Sequence, residues 1–353
     1  SSLSNVLSSA SGINTLSPTW FSFADTEGSV TSIASKDYVD TCHAKDIEVW
    51  ALFSNEFPSD DGTRYFDSEK TDQVLAYTSK RENLINNLIS AAIQYNFDGI
   101  NVDFEALSSE VGDSYIQFIR ELSLKCANNG IVLSVDDYVP SSFTAFYNRA
   151  EQATFADYVV VMAYDEHYAG SEEAGSVASI GFVKEGVANT LKEVPADQLI
   201  LGMPFYARVW SETPVDDTTG ADSTTQTSDN NNNDTDETDN AAADAQAADE
   251  AAGTSDSADS YQLFTLDSYA TSMSEIQKLI STNAAEPVWS DIDGQYYVQY
   301  ENNGITYKIW VEDAASLEEK LKVLQENQLA GGSFWKLGLE LPSIWDTIIK
   351  YIN

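Results

Sequence analysis

Residues 97–105 read Phe-Asp-Gly-Ile-Asn-Val-Asp-Phe-Glu, a short apolar run in which polar residues occupy every second position from Asn101 onward. Side chains of a β-strand alternate between its two faces, so Asn101, Asp103 and Glu105 are predicted to project from one face. Polar groups that point into a protein interior are costly unless they form hydrogen bonds or take part in chemistry. Because Glu105 is the last of the three, we expect it at the strand end, at the mouth of a catalytic cavity.

The carboxyl groups of Asp103 and Glu105 are predicted to lie close together, because they are two residues apart on one face. Two neighbouring carboxylates do not both ionise easily, so one pKa is expected to rise. A glutamic acid that keeps its proton near neutral pH can act as a general acid. The alternative is a purely structural row of polar side chains. We favour the catalytic interpretation because composition, order and position at the strand end agree.

This segment is one of eight apolar, strand-like runs that alternate with helical patterns. Arg81–Tyr95, just before it, repeats its apolar residues at the 3.6-residue spacing of an amphipathic helix. Eight strands that are each followed by a helix predict the α/β class and a (β/α)8 TIM barrel. The candidate strands are Ile13–Phe23, Ile47–Phe53, Gly99–Glu105, Ile131–Asp137, Tyr158–Tyr164, Leu199–Ala207, Ile305–Val311 and Gly332–Leu337.

Two insertions interrupt the predicted barrel, which otherwise occupies residues 1–353 as one catalytic domain. Residues 211–260, after strand 6, contain 14 Asp and Glu and no Lys or Arg, so we expect a disordered, acidic, low-complexity insertion. Residues 285–304 are predicted to form a small β-rich insertion before strand 7, Ile305–Val311. Its signal is the Asn303-Gly304 pair, a strong hairpin turn sequence.

Composition excludes several classes of function. The chain has 353 residues, 42% of them hydrophobic, and a formal net charge of −39, which disfavours binding to nucleic acids and anionic membrane surfaces. The only cysteines are Cys42 and Cys126, which we expect to be buried free thiols. The only histidines are His43 and His167, too few for a histidine metal centre, and no Ser-His-Asp triad is evident. We therefore predict no cofactor and no metal.

Four motifs in chain order resemble glycoside hydrolase family 18, the chitinase family. Residues 98–105, Asp-Gly-Ile-Asn-Val-Asp-Phe-Glu, resemble its signature sequence. Residues 162–165 (Met-Ala-Tyr-Asp), 202–206 (Gly-Met-Pro-Phe-Tyr) and 331–335 (Gly-Gly-Ser-Phe-Trp) resemble its fifth, sixth and eighth strands. The resemblance covers most of the chain apart from the acidic insertion, and it implies a barrel-shaped glycosidase.

Finer features resemble one subgroup of that family, the bacterial spore-germination and cortex-lytic enzymes. They lie in residues 17–21, 163–168 and 335–340. This resemblance implies hydrolysis of peptidoglycan at N-acetylglucosamine. Chitinase is the main alternative, followed by a non-catalytic, chitinase-like sugar-binding protein and by a structural cell-wall protein tethered through its acidic insertion. The subgroup resemblance further implies an extracellular location at the cell wall or spore envelope. The Ser1-Ser2 start suggests that a leader is missing from this sequence. We expect a monomer.

The family resemblance implies a retaining, substrate-assisted mechanism, an exception to the two-carboxylate scheme of most glycosidases. Glu105 would be the general acid and base, Asp103 would accept a hydrogen bond from the acetamido N–H, and Tyr164 would donate to the acetamido oxygen. Trp335 would form the apolar floor beneath the sugar. The remaining substrate-binding residues that the resemblance implies are Asp165, Asn101, Met203, Tyr206 and Trp20.

Asn101 departs from the commonest form of the family signature, in which an aspartate stands at this position. An asparagine is not an acid and cannot share a proton with Asp103. We therefore expect activity to persist with a shifted pH profile.

Overall fold

A computed structural model of the protein describes residues 3–215 and 263–352. Its strands are β1 Thr15–Leu16, β2 Thr19–Phe23, β3 Val30–Ser32, β4 Glu48–Ser54, β5 Glu56–Pro58, β6 Arg64–Phe66, β7 Gly99–Asp103, β8 Val132–Tyr138, β9 Tyr158–Met162, β10 Leu199–Pro204, β11 Tyr206–Pro214, β12 Phe264–Ser272, β13 Val288–Ser290, β14 Gln295–Asn302, β15 Ile305–Val311 and β16 Gly331–Trp335.

Helices separate most of these strands. They are α1 Leu3–Ser9, α2 Lys36–His43, α3 Ser68–Leu75, α4 Thr78–Tyr95, α5 Gly112–Asn129, α6 Arg149–Phe155, α7 Ile180–Thr190, α8 Met273–Thr282, α9 Ala314–Glu326 and α10 Trp345–Ile348. Short 3₁₀ helices occupy Ser109–Val111, Ala145–Tyr147 and Pro342–Ile344.

The barrel wall is a run of seven parallel strands in the order β16-β10-β9-β8-β7-β4-β2. The short strand β3 pairs antiparallel with β2 at one end of this run. Helices pack on the outside, and one large apolar core fills the space between them and the strands. This α/β architecture, with strands and helices in alternation, is the barrel class that the sequence predicts.

Helix α4 shows how the sequence places the decisive strand. Its apolar stripe is buried against the barrel, with Leu84 fully enclosed and Leu88 nearly so. The helix ends at Tyr95, and its C-cap residue Asn96 adopts the left-handed conformation (φ 62°) that commonly terminates helices. Two residues of loop then lead into β7, so the geometry of α4 fixes where that strand begins.

The second sheet corrects one part of the strand assignment. Its five strands run in the order β12-β11-β15-β14-β13, all antiparallel. The predicted seventh barrel strand, Ile305–Val311, is β15 of this sheet, so its placement in the barrel wall is wrong. The reason is the predicted Asn303-Gly304 turn, which forms with both φ angles positive (53° and 78°) and returns the chain along β14.

The boundaries of the predicted acidic insertion also change. Residues 211–214 continue β11 and pair with residues 264–267 of β12, so they belong to the second sheet. Residues 216–260 of the predicted insertion lie outside the described residues. Among the described helices, none is both long enough and apolar enough to cross a bilayer.

Candidate active site

A cavity opens among the barrel strands, largely at their carboxyl ends, the end at which α/β barrels carry their active sites. Its walls come from most of the barrel strands and the segments that follow them. The lining residues are Thr19, Ser54, Glu56, Phe66, Asp103, Glu105, Asp136, Tyr138, Met162, Tyr164, Asp165, Tyr206 and Trp335. Of the predicted site residues, the cavity therefore contains the three catalytic ones and three of the six assigned to substrate binding.

The main chain of Glu105 is fixed by hydrogen bonds with a neighbouring side chain. The buried side chain of Asn55 donates to the Glu105 carbonyl oxygen and accepts from the Glu105 N–H, each over 2.8 Å. The next residue, Ala106, has a positive φ of 50° and donates its N–H to the Tyr138 hydroxyl at 3.0 Å. These contacts fix the turn after β7 and so fix the direction in which the Glu105 side chain leaves the strand.

The electrostatic surroundings favour a protonated Glu105. Removal from water raises the pKa of its carboxyl well above the usual value, and the nearby charge of Asp103 raises it further. A hydrogen bond from the Tyr138 hydroxyl lowers this pKa in part, without reversing the shift. A carboxyl with this environment is suited to donate a proton near neutral pH.

Asp103 is the last residue of β7 and stands beside Glu105 in the cavity. Burial, followed by the charges of Glu56 and Asp137, raises its pKa to about 7. Its Oδ1 atom is buried and has no hydrogen-bond partner within the described part of the chain. No Lys, Arg or His of the described residues lines the cavity, so Asp103, Glu105 and Asp136 face one another there without a cation in the lining.

Another part of the cavity wall carries aromatic and hydroxyl groups. Tyr164 and Tyr206 meet edge to face with ring centroids 6.4 Å apart. The Tyr206 hydroxyl donates to Oδ1 of Asp165, whose own φ of 58° lies in the left-handed region. Trp335 ends β16 and contributes an indole ring to the same cavity. Burial raises the pKa of Tyr164 well above 10, so its hydroxyl remains a donor.

Trp20 and Met203, both predicted to bind substrate, lie in the core instead. Thr19 faces the cavity, so Trp20, the next residue of β2, points the other way and packs on Tyr38 and Phe97 at 5.0 and 5.4 Å. Met203 is fully buried within β10 and fills the space beside Gly332.

Asn101 lies one step below the cavity and does not line it. Its Oδ1 accepts from the Ser134 hydroxyl, and its Nδ2 donates to Oδ2 of Asp136 at 2.8 Å. Only 4% of the residue is exposed. The structure thus gives Asn101 side-chain partners on β8 rather than a position in contact with a ligand.

Several lining residues were missed by the sequence interpretation, above all Asp136 and Tyr138 of β8. A signal for them was present: Ser134, Asp136 and Tyr138 repeat the every-second-residue polar pattern of β7 on the next strand. The adjacent Asp137 obscures this alternation, because it points to the other side and binds Gln152 at 2.9 Å.

Metal binding receives no support from the described residues. No group of three or more His, Cys, Asp or Glu side chains within them is arranged to hold a metal ion.

Cys42 and Cys126 are buried free thiols, as predicted, and burial raises their pKa values to about 11 and about 12.

Comparison with known families gives one match that spans most of the chain. The sequence profile of the glycosyl hydrolases family 18 matches residues 60–340. That span contains every predicted site residue except Trp20. The glycosylase YvbX of Bacillus subtilis is 24% identical over 345 residues, which cover 96% of this chain and 84% of YvbX.

Solved structures agree on the fold. The spore cortex-lytic enzyme SleL of Bacillus megaterium aligns with a TM-score of 0.73 at 19% identity, over 96% of this chain and 67% of SleL. A chitinase of Chromobacterium violaceum aligns with a TM-score of 0.75 at 20% identity, over 99% of this chain and 94% of that chain. The chain spans about half the length of two further curated relatives, the cortical fragment-lytic enzymes of Bacillus anthracis and Bacillus subtilis (56% and 54%).

Proposed function

Because the chain belongs to glycosyl hydrolase family 18, we propose that it hydrolyses β-1,4 glycosidic bonds at N-acetylglucosamine in peptidoglycan of the spore cortex or cell wall, with retention of configuration. One observation carries the proposal. Glu105, Asp103 and Tyr164 line a single cavity together with Trp335, although they come from three different strands or strand ends. Family members of this kind use the substrate's own acetamido group in place of an enzyme nucleophile.

In the first step, Glu105 gives its proton to the glycosidic oxygen as the bond to the anomeric carbon breaks. The acetamido oxygen of the same sugar attacks that carbon, and a cyclic oxazolinium ion forms. Asp103, beside Glu105, accepts a hydrogen bond from the acetamido N–H and stabilises the positive charge. The raised pKa of Glu105 supports this role, because the acid must still carry its proton when substrate binds.

In the second step, Glu105, now ionised, removes a proton from a water molecule that attacks the anomeric carbon. The acetamido oxygen leaves, and the configuration at the anomeric carbon is restored. Tyr164 donates to the acetamido oxygen during the first step and keeps it in line for attack. The buried carboxyl neighbours of Glu105 favour its return to the protonated form, so the cycle can restart.

The sugar itself is proposed to lie on Trp335, since an indole face suits the C–H surface of a pyranose ring. Asp165 and Tyr206, joined by their hydrogen bond, form the side wall. No cofactor or metal enters this scheme. The proposed partner is a glycan that contains N-acetylglucosamine, and we propose an extracellular, cell-wall or spore-envelope location and a monomeric state.

Peptidoglycan is favoured over chitin by the relatives' names, since two are called cortical fragment-lytic enzymes and SleL is called a spore cortex-lytic enzyme. The alignment with a chitinase over 99% of the chain makes chitin the second candidate. A sugar-binding role without catalysis fits less well, because the acid, its carboxyl neighbour and the tyrosine are all present in the cavity.

The test is incubation of the purified chain with spore-cortex peptidoglycan, vegetative peptidoglycan and chitooligosaccharides, followed by mass spectrometry of the products. Fragments with N-acetylglucosamine at the new reducing end are expected from peptidoglycan. Turnover of chitooligosaccharides alone would support the chitinase candidate. Binding to either glycan with no product from the wild-type chain would contradict hydrolysis and support the lectin alternative.

A further inference from the structure

We propose that Asp136 is a positioning residue that stays protonated at the working pH, and so supplies from β8 the neutral carboxyl partner that Asn101 cannot provide to Asp103. The inference rests on the proposed function for its catalytic consequence, since Asp103 must carry the negative charge beside the acetamido group. Asp136 acts on the reaction only through Asp103.

The pairing of strands places the two carboxyls next to each other. β7 and β8 run parallel, and Asp103 is the direct neighbour of Asp136 in their register. Both side chains line the cavity. Two acids on adjacent strands, at one level and on one face, cannot both ionise without strong repulsion unless a cation lies between them.

Asn101 determines how Asp136 is held. The Ser134 hydroxyl donates to the amide oxygen of Asn101, and this leaves the amide nitrogen to donate to Oδ2 of Asp136 at 2.8 Å. An amide neither gains nor loses a proton in this pH range, so Asn101 serves as a fixed donor. A protonated carboxyl satisfies this arrangement: its carbonyl oxygen accepts from Asn101, and its hydroxyl is left as a donor.

The surroundings of the pair contain carboxyls and hydroxyls, and the cavity lining among the described residues contains no cation. Asp136 interacts electrostatically with five titratable groups, which are Asp103, Glu105, Asp137, Tyr115 and Tyr164. Asp137 is turned away and held by Gln152. With Oδ1 of Asp103 buried and without a partner in the described chain, the two acids together lack the donors that two carboxylates need.

Electrostatics agree with this geometry. Burial and the charge of Asp103 raise the pKa of Asp136 well above its usual value, and the hydrogen bond from Asn101 lowers this pKa only in part. The hydrogen bond that Asp103 is proposed to accept from the substrate N–H favours the charged form of Asp103. Asp103 is therefore expected to carry its charge when substrate is bound, while Asp136 keeps its proton.

The experiment compares Asp136→Asn with Asp136→Leu. Asparagine mimics a neutral carboxyl, so Asp136→Asn is expected to keep kcat within about threefold and both limbs of the pH profile in place, since no charge is lost. Leucine places an apolar group beside Asp103, so kcat is expected to fall at least about tenfold while KM changes little, and the acid limb is expected to move up by about one pH unit.

The opposite result for Asp136→Asn would overturn the inference. If Asp136 is charged in the wild-type enzyme, removing that charge lowers the pKa values of Asp103 and Glu105, and both limbs move to lower pH by about one unit. Asp98→Asn, just before β7 and outside the cavity lining, is the matched control and is expected to leave the profile unchanged.

Infrared spectroscopy separates this inference from the proposed function, because it requires no substrate. The carbonyl stretch of a protonated carboxylic acid is recorded at neutral pH in Glu105→Gln, which removes the signal of Glu105. We expect part of the remaining acid band to disappear on adding Asp136→Asn and to persist on adding Asp98→Asn. A band that Asp136→Asn leaves unchanged contradicts the inference even if peptidoglycan proves to be the substrate.

Discussion

Two groups of carboxyls in this molecule, one lining the cavity and one buried, have opposite surroundings. In the cavity, Asp103, Glu105 and Asp136 face one another without a cation among the described residues that line it. Behind it, between α9 and the second sheet, Glu312 meets Lys320 with 2.6 Å between Oε1 and Nζ, and both side chains are at most 1% exposed. The first group leaves an oxygen of Asp103 without a partner, whereas the second is fully engaged.

The engaged group forms a small network. Gln295 also donates to Oε1 of Glu312 at 2.8 Å, and the Ser316 hydroxyl donates to Oε2 at 2.8 Å. Burial raises the pKa of Glu312, and the nearby charge of Lys320 opposes that rise. A buried charge whose ion-pair and hydrogen-bond partners are present has a structural role. Acids that lie together without a cation have raised pKa values, which suit them to proton transfer.

The largest effect is expected from a substitution in the cavity group. Glu105→Gln keeps the shape of the side chain but removes the transferable proton, so we expect kcat to fall by ~10² to ~10⁴ while the melting temperature is retained. Hydrolysis of peptidoglycan fragments is the measurement. Glu110→Gln, on the exposed 3₁₀ turn after β7, is the control. Near wild-type turnover by Glu105→Gln contradicts the assignment of the acid.

The next largest effect is expected from a substitution in the engaged group around Glu312. Lys320→Met leaves Glu312 buried without its cation, so the free energy of unfolding is expected to fall by roughly 3–5 kcal/mol while kcat of the folded enzyme is kept. Urea unfolding measures the loss. Lys322→Met removes the exposed partner of Glu319 and is expected to leave the free energy of unfolding nearly unchanged. Equal losses in the two variants would mean that the buried pair has no special role.

A smaller effect concerns the wall of the cavity. Tyr206→Phe removes the hydroxyl that donates to the Asp165 carboxyl, so kcat/KM is expected to fall roughly tenfold. The control is Tyr158→Phe. Tyr158 begins β9, at the end of the strand away from the cavity, and stacks on Trp50. If both substitutions leave kcat/KM unchanged, the contact between Tyr206 and Asp165 does not shape the site.

The smallest effect is a pH dependence of stability. Burial raises the pKa of Asp137 from 3.8 to about 7, so the native state binds more protons than the unfolded state between these values. The stability that this group contributes is complete below pH 3.8 and is lost as pH rises to about 7. Asp137→Asn is expected to flatten this part of the unfolding free energy measured against pH, and the exposed Asp60→Asn is expected not to do so.

Local patterns in the sequence determined much of the site. The alternation over residues 97–105 correctly separated the side chains that face the cavity from Val102 and Phe104, which pack beneath the helices. The same reasoning, with the family resemblance, placed Tyr164 and Trp335 at the cavity with Glu105. This placement follows because a strand has a fixed period of two and parallel strands of a barrel end at one rim.

What only the tertiary structure decided is which partner each element meets. Ile305–Val311 has the alternation of a strand in either sheet, and pairing with β11 and β14 assigned it to the second one. The direction of Trp20 depended on the register of β2, which no local pattern reveals. Asp136 became part of the site because β8 lies beside β7 at the same level. Periodicity fixes the face of a residue, but the free energy of packing and pairing, which involves residues far apart in the chain, fixes its neighbour.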